Sequence, residues 1–105
     1  MAAIDDPVLI RFRAALDAAY GDRIERVVLF GSRARGDHRP DSDYDVAVFL
    51  RSGLNIGREI SILSDLELDL EEETGAVINA LPLREGSHAD RTVFMAELRR
   101  DGVEL

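Results

Sequence analysis

The sequence has 105 residues, of which 46% are hydrophobic and 32% are charged, and it contains no cysteine. This predicts one compact domain over residues 1–105 and excludes disulfides and thiolate-bound metals, so a bound metal would be a hard cation held by oxygen or imidazole ligands. The net charge of −8 argues against direct nucleic-acid binding, because a phosphate backbone would be repelled, and it suits a basic protein partner better.

The first predicted element is a helix over residues 7–20. Pro7 is tolerated in a first helical turn, and Gly21 can end the helix. Between them, apolar side chains recur at steps of three and four residues, which is the spacing of one helical face. That face consists of Leu9, Phe12, Leu16 and Ala19. We therefore expect it to pack against the core.

A strand is predicted over residues 24–30, where β-branched and aromatic residues dominate. It runs directly into Gly31 and Ser32, a break of the kind that a strand-to-helix turn uses. The following segment, residues 32–42, is polar and contains both a glycine and a proline. At most a short helical turn and a loop fit there.

The next predicted strand, residues 43–50, begins with two acidic residues. Because side chains alternate along a strand, Asp43 and Asp45 point to one face, while Tyr44 points to the other and is expected to pack against a helix. Two carboxylates side by side can bind the same Mg²⁺, and their mutual repulsion favours a bound cation. This pair is therefore the candidate metal site.

The second half of the chain predicts a helix, a strand and a last helix. Residues 56–74 form the longest helix, and residues 76–83 form a strand whose end Pro82 weakens or places at a sheet edge. Ser87 is expected to cap a last helix that runs to about Arg100. The apolar stripe of the longest helix consists of Ile56, Ile60, Leu63, Leu66 and Leu70. The last five residues are too short for a prediction.

This order of elements shows no internal repeat, linker or low-complexity tract. It predicts an α/β (α+β) domain with a small mixed β-sheet of three or more strands and helices packed mainly on one face. No apolar run approaches the roughly 20 residues that a membrane span needs, and MAAIDDPVLI lacks the pattern of a secretion signal. We therefore expect a cytoplasmic protein that does not bind membranes.

Gly31 and Ser32 are the candidate phosphate-binding residues. Glycine lets the backbone approach a phosphate without a Cβ in the way, and a serine at a helix start offers a hydroxyl and an amide. A Gly-Ser pair alone is more often an ordinary turn. The acidic pair that follows it along the chain makes the phosphate interpretation the favoured one.

The residues G-S-R-A-R-G at 31–36, followed by D-S-D-Y-D-V at 41–46, resemble the signature G-S-x-A-R-G…S-D-x-D of the minimal nucleotidyltransferase family. That family has the polymerase β-like nucleotidyltransferase fold, and the order of elements extends the resemblance over nearly the whole chain. The resemblance implies that the Gly31 and Ser32 pair binds the triphosphate of ATP, that Asp43 and Asp45 hold Mg²⁺, and that Arg33 or Arg35 lies near phosphate.

The reaction implied by this resemblance is transfer of AMP from ATP to a hydroxyl group, with release of pyrophosphate. Members of the family are often antitoxins that modify a HEPN-domain RNase toxin, so the implied partners are a nucleoside triphosphate and a HEPN-type RNase toxin. Transfer to a small hydroxylated molecule is a weaker alternative. An oligomer is also possible, through the sheet edge near Pro82 or through the apolar residues Val93, Phe94 and Leu98.

The chain departs from the family pattern at one candidate catalytic position. Residues 78–83, I-N-A-L-P-L, align with a family context such as V-D-x-V-P-L, so Asn79 replaces the third acidic residue beside Asp43 and Asp45. An asparagine is a neutral oxygen ligand and not a base. The alternative function is therefore a catalytically weakened antitoxin module that binds nucleotide or partner.

Overall fold

The computed structural model, which describes residues 2–105, contains one four-stranded sheet. Its strands are β1 (Ile24–Phe30), β2 (Tyr44–Leu50), β3 (Ile78–Arg84) and β4 (Val103–Glu104). The order across the sheet is β3-β2-β1-β4. Because β1 is antiparallel to both β2 and β4 while β2 and β3 are parallel, the sheet is mixed, as the sequence predicts.

Helices cover both faces of this sheet. The long helices α1 (Pro7–Tyr20) and α3 (Ile56–Thr74) pack on one face, and the short helix α4 (Val93–Asp101) packs on the other. One turn of helix, α2 (Ser32–Arg35), follows β1. Short 3-10 turns lie at Ala3–Asp5, Gly21–Arg23 and Ser87–Ala89. Within residues 2–105, no helix combines the length and the apolar character that a membrane span requires.

The predicted bounds of α1 and α3 are confirmed, but their buried faces differ in detail. On α1 the fourth buried side chain is Tyr20 and not Ala19, because the larger ring reaches the core. On α3, Ile56 and Ile60 are each 50% exposed, and the apolar stripe becomes buried only from Leu63 onwards. The first turns of α3 are held to the core by a charged residue instead.

That residue is Glu59, which is fully buried near the start of α3. Its carboxylate oxygens lie 3.4 Å from Arg23 Nη1 and 3.3 Å from Arg58 Nη2, and the backbone N–H of Asn55 donates to it at 3.0 Å. Burial by itself raises the pKa of Glu59, but these hydrogen bonds together hold its pKa below the ordinary value. A buried carboxylate is tolerated when it is paired in this way, so Glu59 ties α3 to the segment before β1.

The C-terminal region differs from the prediction at two points. Ser87 does not cap the last helix, since its hydroxyl donates to Arg84 O at 2.6 Å within a separate 3-10 turn. Thr92 caps α4, where its Oγ1 accepts a hydrogen bond from Met95 N at 3.1 Å. The last residues form β4, in which Val103 pairs with β1. A strand of two residues has no periodic pattern, so only its pairing with β1 defines it.

β3 lies at an edge of the sheet, where a proline is compatible with a strand because it has no N–H to donate. Two residues before Pro82, the backbone N–H of Ala80 donates to Glu67 Oε1 on α3 at 3.2 Å. Burial raises the pKa of Glu67, and this hydrogen bond opposes the effect. The edge therefore offers fewer free donors to an incoming strand, which disfavours association through β3.

Gly102, which follows α4, lies too close to β1 to accommodate a side chain. A Cβ at this position would collide with Leu98 O and with Val28 Cγ1. We expect Gly102→Ala to lower the free energy of unfolding by about 1–3 kcal/mol, the usual cost of overpacking. Urea denaturation followed by circular dichroism measures this change.

The matched control is Gly57→Ala. Gly57 lies in the first turn of α3, and a Cβ there would meet only Asn55 Oδ1, at 3.8 Å. Alanine favours a helix over glycine by about 1 kcal/mol, so this variant should be as stable as the parent or slightly more stable. If both variants lost the same stability, the close packing of Gly102 would not be the cause.

Candidate active site

Two carboxylates project from the beginning of β2 on the face that α4 partly covers. Asp45 shares this face with Ala47 and Phe49, which pack against α4, and Asp43 immediately precedes the strand. Asp43 is exposed and Asp45 is half-buried. The predicted alternation is confirmed, because Tyr44 lies in the core on the opposite face.

Asn79 lies beside both carboxylates. The parallel pairing of β2 with β3 places Asn79 opposite Asp45. Its side-chain Nδ2 donates to Asp43 Oδ2 at 3.1 Å and to Asp45 Oδ1 at 3.5 Å. The structure thus brings the three predicted residues together, and the amide N–H groups of Asn79 relieve part of the repulsion between two like charges.

Gly31 lies directly against the carboxylate of Asp45. It connects β1 to α2 with φ 75° and ψ −157°, a backbone conformation that is essentially limited to glycine. A Cβ at Gly31 would overlap Asp45 Oδ2. The turn predicted to bind phosphate is therefore in contact with the predicted metal site.

Ser32 and Arg33 follow in α2 and differ in their contacts. Within residues 2–105, the hydroxyl of Ser32 forms no hydrogen bond with the protein, so it remains available to a ligand. Arg33 donates to Ser42 O at 2.9 Å and to Pro40 O at 3.1 Å, and its guanidinium stacks 3.8 Å from the centre of the Tyr44 ring. Arg33 thus holds the loop before β2, and its phosphate contact stays a prediction.

Arg35 is exposed and lines a cleft with Gly31 between the end of β1 and α4. Its Nε lies 3.3 Å from Asp37 Oδ2, and its side chain is 47% exposed. The two arginines of the motif therefore lie apart, since Arg33 stacks on the opposite face of the sheet. Of the two, Arg35 is the one on the side of Gly31 and the cleft.

Tyr44 is buried and tied into the protein. Its hydroxyl donates to Asp6 Oδ2 at 2.8 Å, at the start of α1. Burial, together with this hydrogen bond, raises the pKa of Tyr44 to about 12. Its hydroxyl therefore stays protonated and is a poor acceptor for a transferred group, in agreement with the prediction that it packs against a helix.

The donors at the site fit Mg²⁺. Among residues 2–105 there is no group of three His, Cys, Asp or Glu side chains that could hold a metal. Asp43 and Asp45 instead provide carboxylate oxygens, and Asn79 adds an amide oxygen if its side chain turns. Mg²⁺ is bound by few protein carboxylates, with substrate phosphates and water completing the octahedron, so two carboxylates and an amide suffice.

The sequence matches a family model and a named relative over most of its length. The family model described as "Polymerase beta, Nucleotidyltransferase" matches residues 18–104. The Methanocaldococcus jannaschii protein named "Putative protein adenylyltransferase MJ0141" is 36% identical over 101 residues, which are 93% of this chain and 95% of that protein. The range matched by the family model, residues 18–104, contains Gly31, both aspartates and Asn79.

Two solved structures share the fold. One is a "putative nucleotidyltransferase from Sulfolobus solfataricus", with a TM-score of 0.65 and 22% identity, covering 92% of this chain and 75% of that one. The other is a toxin-antitoxin with AMP-PNP, with a TM-score of 0.64 and 18% identity, covering 90% and 69%. Because the family model and a relative at 36% identity both span most of the sequence, this chain belongs to the polymerase β nucleotidyltransferase family and has its fold.

Proposed function

We propose that this chain transfers AMP from ATP to a hydroxyl group of a protein partner in a reaction that depends on Mg²⁺. The observation that carries the proposal is the meeting of Asp43, Asp45 and Asn79 beside the turn at Gly31. A glycine turn that lies against one carboxylate of an acidic pair suits phosphoryl chemistry, because it brings backbone and metal-binding groups to the place where the phosphates would react.

In this reaction the acceptor oxygen attacks the α-phosphorus of ATP, the bond between the α- and β-phosphates breaks, and pyrophosphate leaves. Gly31 and Ser32 would hold the triphosphate, and Arg35 lies on the same side as Gly31, at the rim of the adjacent cleft. Asp43 and Asp45 would hold Mg²⁺, which neutralises phosphate charge and lowers the pKa of an attacking hydroxyl. Asn79 cannot accept the hydroxyl proton, because a carboxamide is not a base, so the proton passes through solvent water to the released pyrophosphate.

The similar proteins support a protein acceptor and a toxin as the partner. The M. jannaschii relative carries a protein adenylyltransferase name, and one structural neighbour is a toxin-antitoxin with AMP-PNP. The net charge of −8 favours a basic partner surface. Together with the family resemblance of residues 31–46, which implies a HEPN-type RNase toxin, these similarities lead us to propose such a toxin as the acceptor and this chain as its antitoxin.

A second candidate function is a module that binds such a partner without catalysis. It is favoured by Asn79, whose Nδ2 already donates to both aspartates and so lowers the need for a cation between them. In this case the nucleotide site would be retained only for binding, or not used at all.

Asn79→Asp separates the two functions. We expect the third carboxylate to raise AMP transfer on the order of 10²-fold, the usual contribution of a general base. It should also increase the dependence of thermal stability on Mg²⁺, because three carboxylates repel one another until a cation is bound. Transfer is measured as label entering protein from ATP labelled on the α-phosphate, with ATP labelled on the γ-phosphate as the test for kinase activity.

Leu81→Asp is the matched control, since it adds the same charge two residues further along the same face of β3, opposite Ala47 and away from the aspartates. It should change neither transfer nor the effect of Mg²⁺ on stability. If neither the parent nor Asn79→Asp labels protein from the α-phosphate, the proposed transfer is wrong. Label found only in small molecules would point to a small hydroxylated acceptor instead.

A further inference from the structure

A cleft of about 220 Å³ opens beside Gly31, between the end of β1 and α4. Phe30 and Phe94 form its aromatic wall, with their ring centres 5.4 Å apart in an edge-to-face arrangement. Phe30 is the strand partner of Asp45, so both lie on the same face of the sheet. The cleft therefore lies beside the aspartates, since Gly31 lines it and also lies against Asp45.

The charged residues around this cleft balance one another. Arg35 and Arg100 lie on its rim together with Glu97 and Asp101. Both arginines are already paired, Arg35 with Asp37 at 3.3 Å and Arg100 with Asp101 at 3.0 Å. A cleft with no excess positive charge and an aromatic wall suits an uncharged aromatic group better than another phosphate.

Resting on the proposed function, we infer that this cleft holds the nucleoside part of the triphosphate, with the base against Phe94. The triphosphate would extend from there past Gly31 to the aspartates. The carboxylates of Glu97 and Asp101 are acceptors, and a nucleoside offers donors in its ribose hydroxyls and in the amino group of adenine. The sequence predicts Phe94 as part of a surface for association with a partner, whereas in the structure its ring lines this cleft.

The test compares Mg-ATP with Mg-tripolyphosphate, which lacks the nucleoside. By titration calorimetry, the parent chain should bind Mg-ATP more tightly than Mg-tripolyphosphate. Phe94→Ala should weaken the binding of Mg-ATP roughly 5- to 150-fold, the range for losing one base–aromatic stack, and should leave the binding of Mg-tripolyphosphate unchanged. Because a folding defect would weaken both ligands, tripolyphosphate serves as a control within each variant.

Two further variants provide a matched control and a second test of the cleft. Val93→Ala is the matched control, since Val93 is the neighbouring residue, is 78% exposed and lies outside the cleft, and it should bind both ligands as the parent does. Glu97→Gln, on the exposed rim, should weaken the binding of Mg-ATP but not that of Mg-tripolyphosphate, and it should keep the fold intact.

The outcomes distinguish this inference from the proposed function. If the parent binds both ligands equally, or if Phe94→Ala weakens the binding of neither, the nucleoside lies elsewhere and only this inference falls. If Phe94→Ala weakens the binding of both alike, the variant is misfolded and Glu97→Gln decides: unchanged binding of Mg-ATP by Glu97→Gln then overturns the inference. If the parent binds neither ligand in the presence of Mg²⁺, the nucleotide site is absent and the proposed function falls with it.

Discussion

Replacing Asp43 and Asp45 together with alanine is expected to abolish Mg²⁺-dependent binding of ATP. Asp45 lies on β2 and Asp43 immediately precedes it, and within residues 2–105 no third acidic side chain joins them in a group that could hold a metal. Binding should weaken roughly 10²-fold or more, since contacts between metal and carboxylate contribute several kcal/mol. Titration calorimetry of ATP with and without Mg²⁺ measures it.

The fold should survive this double substitution. Asp43 is exposed and Asp45 half-buried, and their removal relieves repulsion between like charges, so stability should change by no more than about 0.5 kcal/mol. The matched control is Asp41→Ala, which removes an exposed acid from the preceding loop and should leave binding intact. Retention of Mg²⁺-dependent binding by the double variant would show that the metal is held elsewhere.

Gly31→Ala should abolish ATP binding, because its Cβ would displace the carboxylate of Asp45. Its Cβ would overlap Asp45 Oδ2, so the carboxylate must move, and its backbone conformation is unfavourable for any other residue. We expect a loss of about 1–3 kcal/mol in stability from backbone strain. A loss of ATP binding should accompany it, measured by calorimetry at a temperature where the variant remains folded.

Gly36→Ala provides the comparison. Gly36 ends α2 with φ 84°, so it shares the positive φ, but a Cβ there meets nothing within 4 Å. It should cost about 1 kcal/mol of stability and leave ATP binding unchanged. Equal effects of both substitutions on binding would mean that backbone strain matters and the contact with Asp45 does not.

Much of the fold can be predicted from local patterns in the sequence. The bounds of α1, β1 and α3 follow from apolar spacing and from residues that begin or end helices, such as Pro7 and Gly21. Alternation along β2 was enough to assign Asp43 and Asp45 to one face. These features depend on neighbours within a few residues, which is why they can be recognised without a structure.

Other features depend on residues far apart in the chain. The pairing of Val103 with β1 creates β4, and the arginines that surround Glu59 make its burial possible. A two-residue strand and a charged residue in a helix have no local signal that predicts either outcome. The cap of α4 at Thr92 was also missed, because Ser87 has an equally suitable side chain.

For the site, the sequence by itself determined the residue types: a Gly-Ser turn, two acids on one face of a strand, and an asparagine where the family has an acid. Only the tertiary structure brought Asn79 within 3.1 Å of Asp43, turned Arg33 towards the loop, and built an aromatic cleft from Phe30 and Phe94. Local chemistry is set by each residue and its near neighbours, whereas these contacts require strand pairing and helix packing between distant segments.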